Sequence, residues 1–473
     1  MPNTKIVATL GPSSDSPEVL RLMLEAGLDV VRLNASHGTQ EEHTRRVQMV
    51  RQVSAQCGRH VGILLDLQGP KIRLGRFEAG RAELADGAEF TITTEPVVGN
   101  AAVASTGYAG FARDVRAGDR VLLADGAVQL RAIHSDGVRV RFEVVSGGPV
   151  GDNKGINLPG VAVSAESLTD KDIRDLHFGV DQGVDIVALS FVRKPEDVRR
   201  LRAHLEGPRI PVVAKIEKPE AWDNLDAILE EADGVMVARG DLGVEMALEK
   251  VPHIQKTVIR QARQRSCFVI TATQMLESMI DNPSPTRAEV SDVANAIYDG
   301  TDAVMLSAET SIGKHPVEAV RMMAKIAAEA ERSCPAGNSA TLHLVNPSHA
   351  EIIAQAAHDA AADPNMCAVV VFTSGGSSAR QISRFHPADR IYAITPRESV
   401  ARQLSVHYGV TPILAEAVFS TDEMVALADR ILLDRGLLRP GDSVVFVAGQ
   451  PIGRPGTTNF LKLHRIGESV ALG

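Results

Sequence analysis

Val212-Val213-Ala214-Lys215-Ile216-Glu217 and Gly234-Val235-Met236-Val237-Ala238-Arg239-Gly240-Asp241 decide how this chain is read. Each is a short apolar run of the kind that forms a strand buried on both faces, and each delivers charged side chains at its C-terminal end. Residues 186–191, Phe268–Ala272 and Ala303–Leu306 repeat the pattern, with helical stretches between them. One such helix begins near Pro285-Thr286, carries Val290, Val293, Ala294 and Ile297 at helical spacing, and stops at Gly300. Towards the N-terminus, residues 4–10, 29–33 and 61–67 are three more strand candidates. After the first of them Ser16 caps a helix with Pro17 at its first position, and Gly27 ends it. The total is eight strand–helix units. Eight parallel strands with crossover helices favour a closed barrel whose chemistry sits at the strands' C-terminal ends; an open doubly wound sheet is the structural competitor.

Between Pro70 and Lys154 the grammar changes. Val138, Val140, Phe142 and Val144 alternate with polar residues, the period of a half-buried antiparallel strand. Asp86-Gly87, Asp125-Gly126 and Asp136-Gly137 read as hairpin turns. Beyond a Ser/Pro/Asn-rich break at residues 333–348, strand candidates at 368–373, Arg390–Thr395, Val410–Leu414 and 443–448 alternate with helices, as in an open α/β sheet. The expected organisation is a barrel domain over 1–69 and 155–332, an inserted all-β lid over 70–154, and a C-terminal α/β domain over 333–473.

The chain has 473 residues and an ordinary globular composition, 44% hydrophobic and 23% charged. Its net charge of −9 lacks the basic footprint that nucleic acid or an anionic membrane requires. No run approaches a membrane span. The start, Met1-Pro2-Asn3-Thr4-Lys5, carries no secretory pattern, so a cytoplasmic location is expected. Cys57, Cys267, Cys334 and Cys367 are scattered without metal-ligand spacing and read as reduced thiols.

A barrel would gather the residues that follow each strand around one mouth. Those residues are Arg32, Asn34 and Ser36; Asp66, with Lys71 and Arg73 just beyond; Ser190; Lys215 and Glu217; Arg239 and Asp241; Thr273; and Ser307 and Glu309. Glu217 and Asp241 are hard oxygen ligands suited to magnesium or manganese. Arg32, Arg73, Lys215 and Arg239 are cationic donors suited to phosphate oxygens. A divalent ion and cations around one mouth point to phosphoryl transfer.

Eight ordered segments then match a known family. Among them are residues 4–12 (TKIVATLGP), 32–38 (RLNASHG), 66–73 (DLQGPKIR), 154–160 (KGINLPG), 215–218 (KIEK), 238–243 (ARGDLG), 271–279 (TATQMLESM) and 306–310 (LSAET). The chain resembles pyruvate kinase over essentially its whole length. The resemblance implies transfer of phosphate from phosphoenolpyruvate to ADP, giving ATP and pyruvate. It implies that Glu217 and Asp241 hold the divalent ion, and that Lys215 stabilises the transferring phosphoryl group and the enolate. Substrate contacts fall to Arg32, Lys215, Gly240, Asp241 and Thr273, with Thr273 and Ser307 on the route that protonates the enolate. Nucleotide contacts fall to Arg73, His37, Asp125 and Lys154. Asn34, Ser36 and Asp66 keep the oxygens of the family's potassium site, but potassium-requiring members carry Glu where this chain has Lys71. A lysine there is expected to replace the monovalent cation. Thr373-Ser374-Gly375-Gly376-Ser377-Ser378 resembles the pocket for a phosphorylated allosteric effector, with the loop around Arg454 closing over it. A homotetramer is expected on the same ground. Two competitors remain: a metal-dependent lyase or aldolase acting on pyruvate enolates, and a catalytically dead effector-binding protein. The first should lack the β insertion and the Lys215/Thr273 pair; the second needs damage to the site residues.

Overall fold

The computed structural model describes residues 1–333, 342, 344, 346–452 and 457–468; Cys334 and Arg454 lie outside them. Eight strands close into a parallel barrel: β1 Lys5–Thr9, β2 Val30–Asn34, β3 Gly62–Asp66, β4 Ile186–Leu189, β5 Val212–Ile216, β6 Gly234–Ala238, β7 Phe268–Ala272 and β8 Ala303–Leu306. β8 pairs with β1, so the barrel has no edge and the doubly wound alternative falls. The inward-facing Val7, Leu64, Val213, Met236 and Ile270 fill its interior. The expected helix after β1 spans Pro17–Ala26, with Ser16 Oγ accepting from Val19 N and Gly27 terminating it. Thr286 and Glu289 form a reciprocal capping box at the start of Arg287–Tyr298.

One regularity of the barrel floor is absent from the expectations above. An aspartate directly precedes each even strand: Asp29, Asp185, Asp233 and Asp302. Its carboxylate accepts from the first or second amide of the preceding odd strand: Ile6, Ile63, Val212 and Val269, at 2.8–3.0 Å. Arg59 pairs with Asp29, and Arg202 and Arg209 with Asp233. Asp185 is held by Arg51 and by Arg402 of the C-terminal domain, and Asp302 by His386 of that domain. The repeat is legible as Gly-x-Asp before Val30, Ile186 and Ala303, and as Ala-Asp before Gly234.

Between β3 and β4 the chain builds a six-stranded sheet and a two-stranded one around an apolar core that includes Phe90, Phe111 and Phe142. Val140, Phe142 and Val144 point inward from strand Arg139–Ser146, whereas Val138 precedes the strand and is exposed. Asp125-Gly126 and Asp136-Gly137 do close hairpins. Asp86-Gly87 does not: Arg81–Leu84 pairs with Gly148–Gly151, and Glu89–Thr93 pairs with Arg139–Ser146. The turn carries the chain from one sheet to the other, pinned by Asp86 accepting from Gly147 N.

The C-terminal domain is a five-stranded sheet in the order Val410–Leu414, Arg390–Thr395, Met366–Phe372, Ser443–Gly449, Thr458–Arg465. The last strand runs antiparallel and was not expected, because its exposed Lys462 and Leu463 and half-buried Leu461 blur the alternation.

Candidate active site

The C-terminal ends of the barrel strands bring the expected residues together. Asp66, the last residue of β3, is fully buried, and Arg32 from β2 puts Nε and a terminal nitrogen on its Oδ2 at 2.8 and 2.7 Å. Its Oδ1 lies 3.3 Å from Lys215 Nζ. The Lys215 ammonium also meets Glu217 Oε1 at 2.9 Å and donates to Ser190 Oγ at 2.8 Å. Burial alone would drive its pKa down, but Asp66 and Glu217 override that and hold it well above the ordinary lysine value. Asp66 is pushed up by burial and pulled further down by Lys215 and Arg32, so it stays ionised. Arg32 is steadied in turn by Thr9 Oγ1, an acceptor at 2.9 Å.

Glu217 follows β5 and is almost fully buried. Its Oε2 accepts from Phe191 N at 2.8 Å. β4 ends at Leu189, earlier than expected, and Phe191, which supplies this amide, has a left-handed φ of 55°. Burial raises the Glu217 pKa, Lys215 opposes, and the nearby charge of Asp241 raises it further. Two carboxylates that repel each other beside one ammonium are the condition a cation relieves, so Glu217 and Asp241 fit a divalent ion. Among the described residues no group of three or more His, Cys, Asp or Glu forms a cage. Such an ion would complete its shell from substrate and water.

Thr273 follows β7 at φ 68°, and Gln274 at 54°. Thr273 Oγ1 accepts from Gly240 N at 2.8 Å and donates to Ala272 O at 2.6 Å. Ser307 has no partner for its buried Oγ, while its amide donates to Glu309 Oε2 at 2.7 Å. Arg239 is not available as a phosphate donor. Its guanidinium faces the carbonyls of residues 272–274 and the carboxylate of Asp292.

At the rim, burial together with the positive charges of Arg73, Lys71 and Arg32 depresses the His37 pKa, which puts those four side chains in one neighbourhood. Arg73 donates to Asn153 O across the base of the β insertion. Lys71 is exposed and lines a cleft with Asp125, Asn157, Lys218, Asp241 and Glu245. Lys154 is exposed beside that base. Asn34 Oδ1 accepts from Ser36 N at 3.1 Å, closing its own turn. Glu245 was missed by sequence reasoning, although its spacing of four from Asp241 places both on one helix face. It binds Lys218 at 2.7 Å and Asn157 Nδ2 at 3.2 Å, tying the barrel to the returning end of the insertion.

In the C-terminal domain Thr373, Ser374, Gly375, Ser377 and Ser378 line one cavity with Arg397 opposite. Gly376 supplies the left-handed turn (φ 80°) ahead of helix Ser377–Ser383. Ser378 Oγ bonds Thr458 Oγ1 at 2.6 Å.

The chain matches the family model for the pyruvate kinase barrel domain over residues 1–320 and that for the pyruvate kinase alpha/beta domain over 351–464. It is 47% identical to a pyruvate kinase of Mycobacterium tuberculosis, over 98% of each chain. It is 46% identical to one of Corynebacterium glutamicum, over 99% of this chain and 98% of that one. A crystal structure of a pyruvate kinase from Cryptosporidium parvum superposes with a TM-score of 0.91 at 34% identity, covering 98% of this chain and 96% of that one. Barrel, C-terminal sheet and sequence agree: the chain belongs to the pyruvate kinase family of phosphotransferases.

Proposed function

We propose that the chain moves the phosphoryl group of phosphoenolpyruvate to ADP, the last step of glycolysis. In that reaction the enol P–O bond breaks, a new P–O bond forms to the terminal phosphate of ADP, and the enolate left behind takes up one proton at carbon. Lys215, charged at any physiological pH, balances the phosphoryl oxygens and the enolate oxygen as negative charge shifts between them. Arg32, fixed by Asp66 and Thr9, orients the phosphoryl group, and Gly240 and Asp241 complete the substrate contacts. Arg73, His37, Asp125 and Lys154 receive the nucleotide. Glu217 and Asp241 would hold Mg2+ or Mn2+, which when bound polarises phosphate oxygens and offsets their charge. Thr273 faces the enolate carbon, and Ser307, whose hydroxyl is free to accept or donate, extends the proton route. The insertion over 70–154 acts as a lid that excludes water, a competing phosphoryl acceptor.

The observation that carries this reading is the Lys215 ammonium held between Asp66 and Glu217 at the barrel mouth. The test is a coupled assay with phosphoenolpyruvate and ADP: magnesium-dependent pyruvate formation supports it, and its absence with soluble, folded protein refutes it.

Three finer readings accompany it. Lys71 replaces the monovalent cation, leaving Asn34, Ser36 and Asp66 as a vestigial site. The hydroxyl-lined cavity at Thr373–Ser378 takes a phosphorylated effector. The enzyme is a cytoplasmic homotetramer.

A further inference from the structure

Arg239 is the most heavily engaged cation among the described residues outside the groups assigned to the reaction. Its Nε donates to Ala272 O at 3.3 Å, and one terminal nitrogen donates to Thr273 O at 2.9 Å and Gln274 O at 3.4 Å. The other terminal nitrogen meets both oxygens of Asp292 at 2.7 and 2.8 Å and Gln255 Oε1 at 3.5 Å. Three successive carbonyls thus fan around one guanidinium, whose planar fork is suited to such a task. The backbone it grips is unusual. A β-branched residue at positive φ is a steric outlier, and Thr273 is followed by a second left-handed residue, Gln274. Such a conformation persists only where the surroundings over-determine it. Here they do so from two sides, because Arg239 holds the carbonyls while its neighbour Gly240 donates to the Thr273 hydroxyl.

We propose that Asp292, from helix Arg287–Tyr298, is a positioning residue. By fixing the Arg239 guanidinium it keeps Thr273 in its left-handed conformation and so aims Oγ1 at the enolate carbon. Asp292 is partly exposed and, as a positioning residue, acts through Arg239 rather than on the substrate. Without its charge the terminal nitrogen that meets both Asp292 oxygens loses its strongest partner, the guanidinium's grip on the carbonyls loosens, the strained pair relaxes, and the threonine hydroxyl leaves its station. Lys215, Arg32 and Glu217 are held by other partners and stay in place. The inference rests on Thr273 serving the protonation step.

Asp292→Asn, Asp292→Glu, Thr273→Ala and the Asp292→Asn/Thr273→Ala double variant are compared in the full-length, magnesium-loaded enzyme. Two rates are read: overall kcat and KM for phosphoenolpyruvate, and exchange of pyruvate methyl protons for deuterons in heavy water with ATP, followed by proton NMR. Asp292→Asn should lower kcat and methyl exchange by at least about tenfold with KM changed by less than about threefold. Asp292→Glu should restore both rates to within about threefold of the parent. In the Thr273→Ala background, Asp292→Asn should have little further effect, because residues acting as a unit are non-additive. Exchange unchanged in Asp292→Asn, no rescue by Asp292→Glu, or fully additive losses would each overturn the proposal. Absence of pyruvate formation by the parent enzyme would instead overturn the functional reading itself.

Discussion

The ammonium of Lys215 lies 2.9 Å from Glu217 Oε1, with both groups buried at the end of β5. They leave the same strand two residues apart and therefore share a face. Neither charge would be tolerable there alone, and their mutual need makes the pair sensitive to replacement of either member.

Replacing Lys215 by methionine should cut kcat by about 10²–10³, the range for loss of one aimed electrostatic donor. Steady-state assays read this directly. Lys215→Arg, which keeps the charge but misplaces it, should fold normally and still fall well short of the parent. An active Lys215→Met enzyme would contradict the role given to this side chain.

Activity should differ by no more than about twofold between potassium chloride and tetramethylammonium chloride at equal ionic strength, if the Lys71 ammonium supplies the charge. Lys71→Glu should then become potassium-dependent, losing at least about tenfold of its rate in tetramethylammonium. A parent enzyme that already fails in tetramethylammonium would show Lys71 to be an ordinary exposed lysine.

Acid should destabilise the protein below neutrality. Burial pushes His386 down to about 4, with Arg263 adding to the effect and Asp302 opposing it; burial pushes His407 down to about 3. Both lie below the ~6.5 of an unfolded histidine. Below that pH the unfolded chain binds protons the folded chain refuses, so stability present at neutrality is lost as pH falls towards 4 and then 3. The loss from His386 alone is on the order of 3 kcal/mol. Melting temperature should therefore drop between pH 7 and 5. His407→Phe, which keeps the ring packed edge-on to Phe268, should flatten that slope.

Asp185→Asn should lower the melting temperature, since Arg51 and Arg402 would lose their shared partner; both arginines are partly exposed and keep other acceptors, so the cost falls below the ~3–5 kcal/mol of a fully buried pair. The protein that remains folded should keep its kcat. A loss of kcat without loss of stability would place Asp185 in the chemistry instead of the floor.

Apolar runs and caps made most of the barrel readable from sequence, because strands buried on both faces and helices closed by Ser16 or Thr286 announce themselves locally. The site was legible as a set of residue types after strands, but not as directions. Arg239 and Arg32 look alike in sequence, yet one faces Asp66 at the mouth and the other turns behind Thr273 to Asp292. That choice depends on a helix more than fifty positions away. Asp86-Gly87 misled for a similar reason: a turn signal says that the chain reverses, and long-range pairing decides which sheet it enters. The left-handed Phe191 and Thr273 carry no signal at all, since neither residue type favours that backbone.

The aspartates of the barrel floor have a mechanical corollary. Arg402 and His386 clasp the roots of β4 and β8, two staves that stand diametrically opposite in the closed ring. A tilt of the C-terminal sheet would therefore pull on the cylinder at two points separated by its full width. The far tips of those same staves are where Ser190 meets Lys215 and where Ser307 stands.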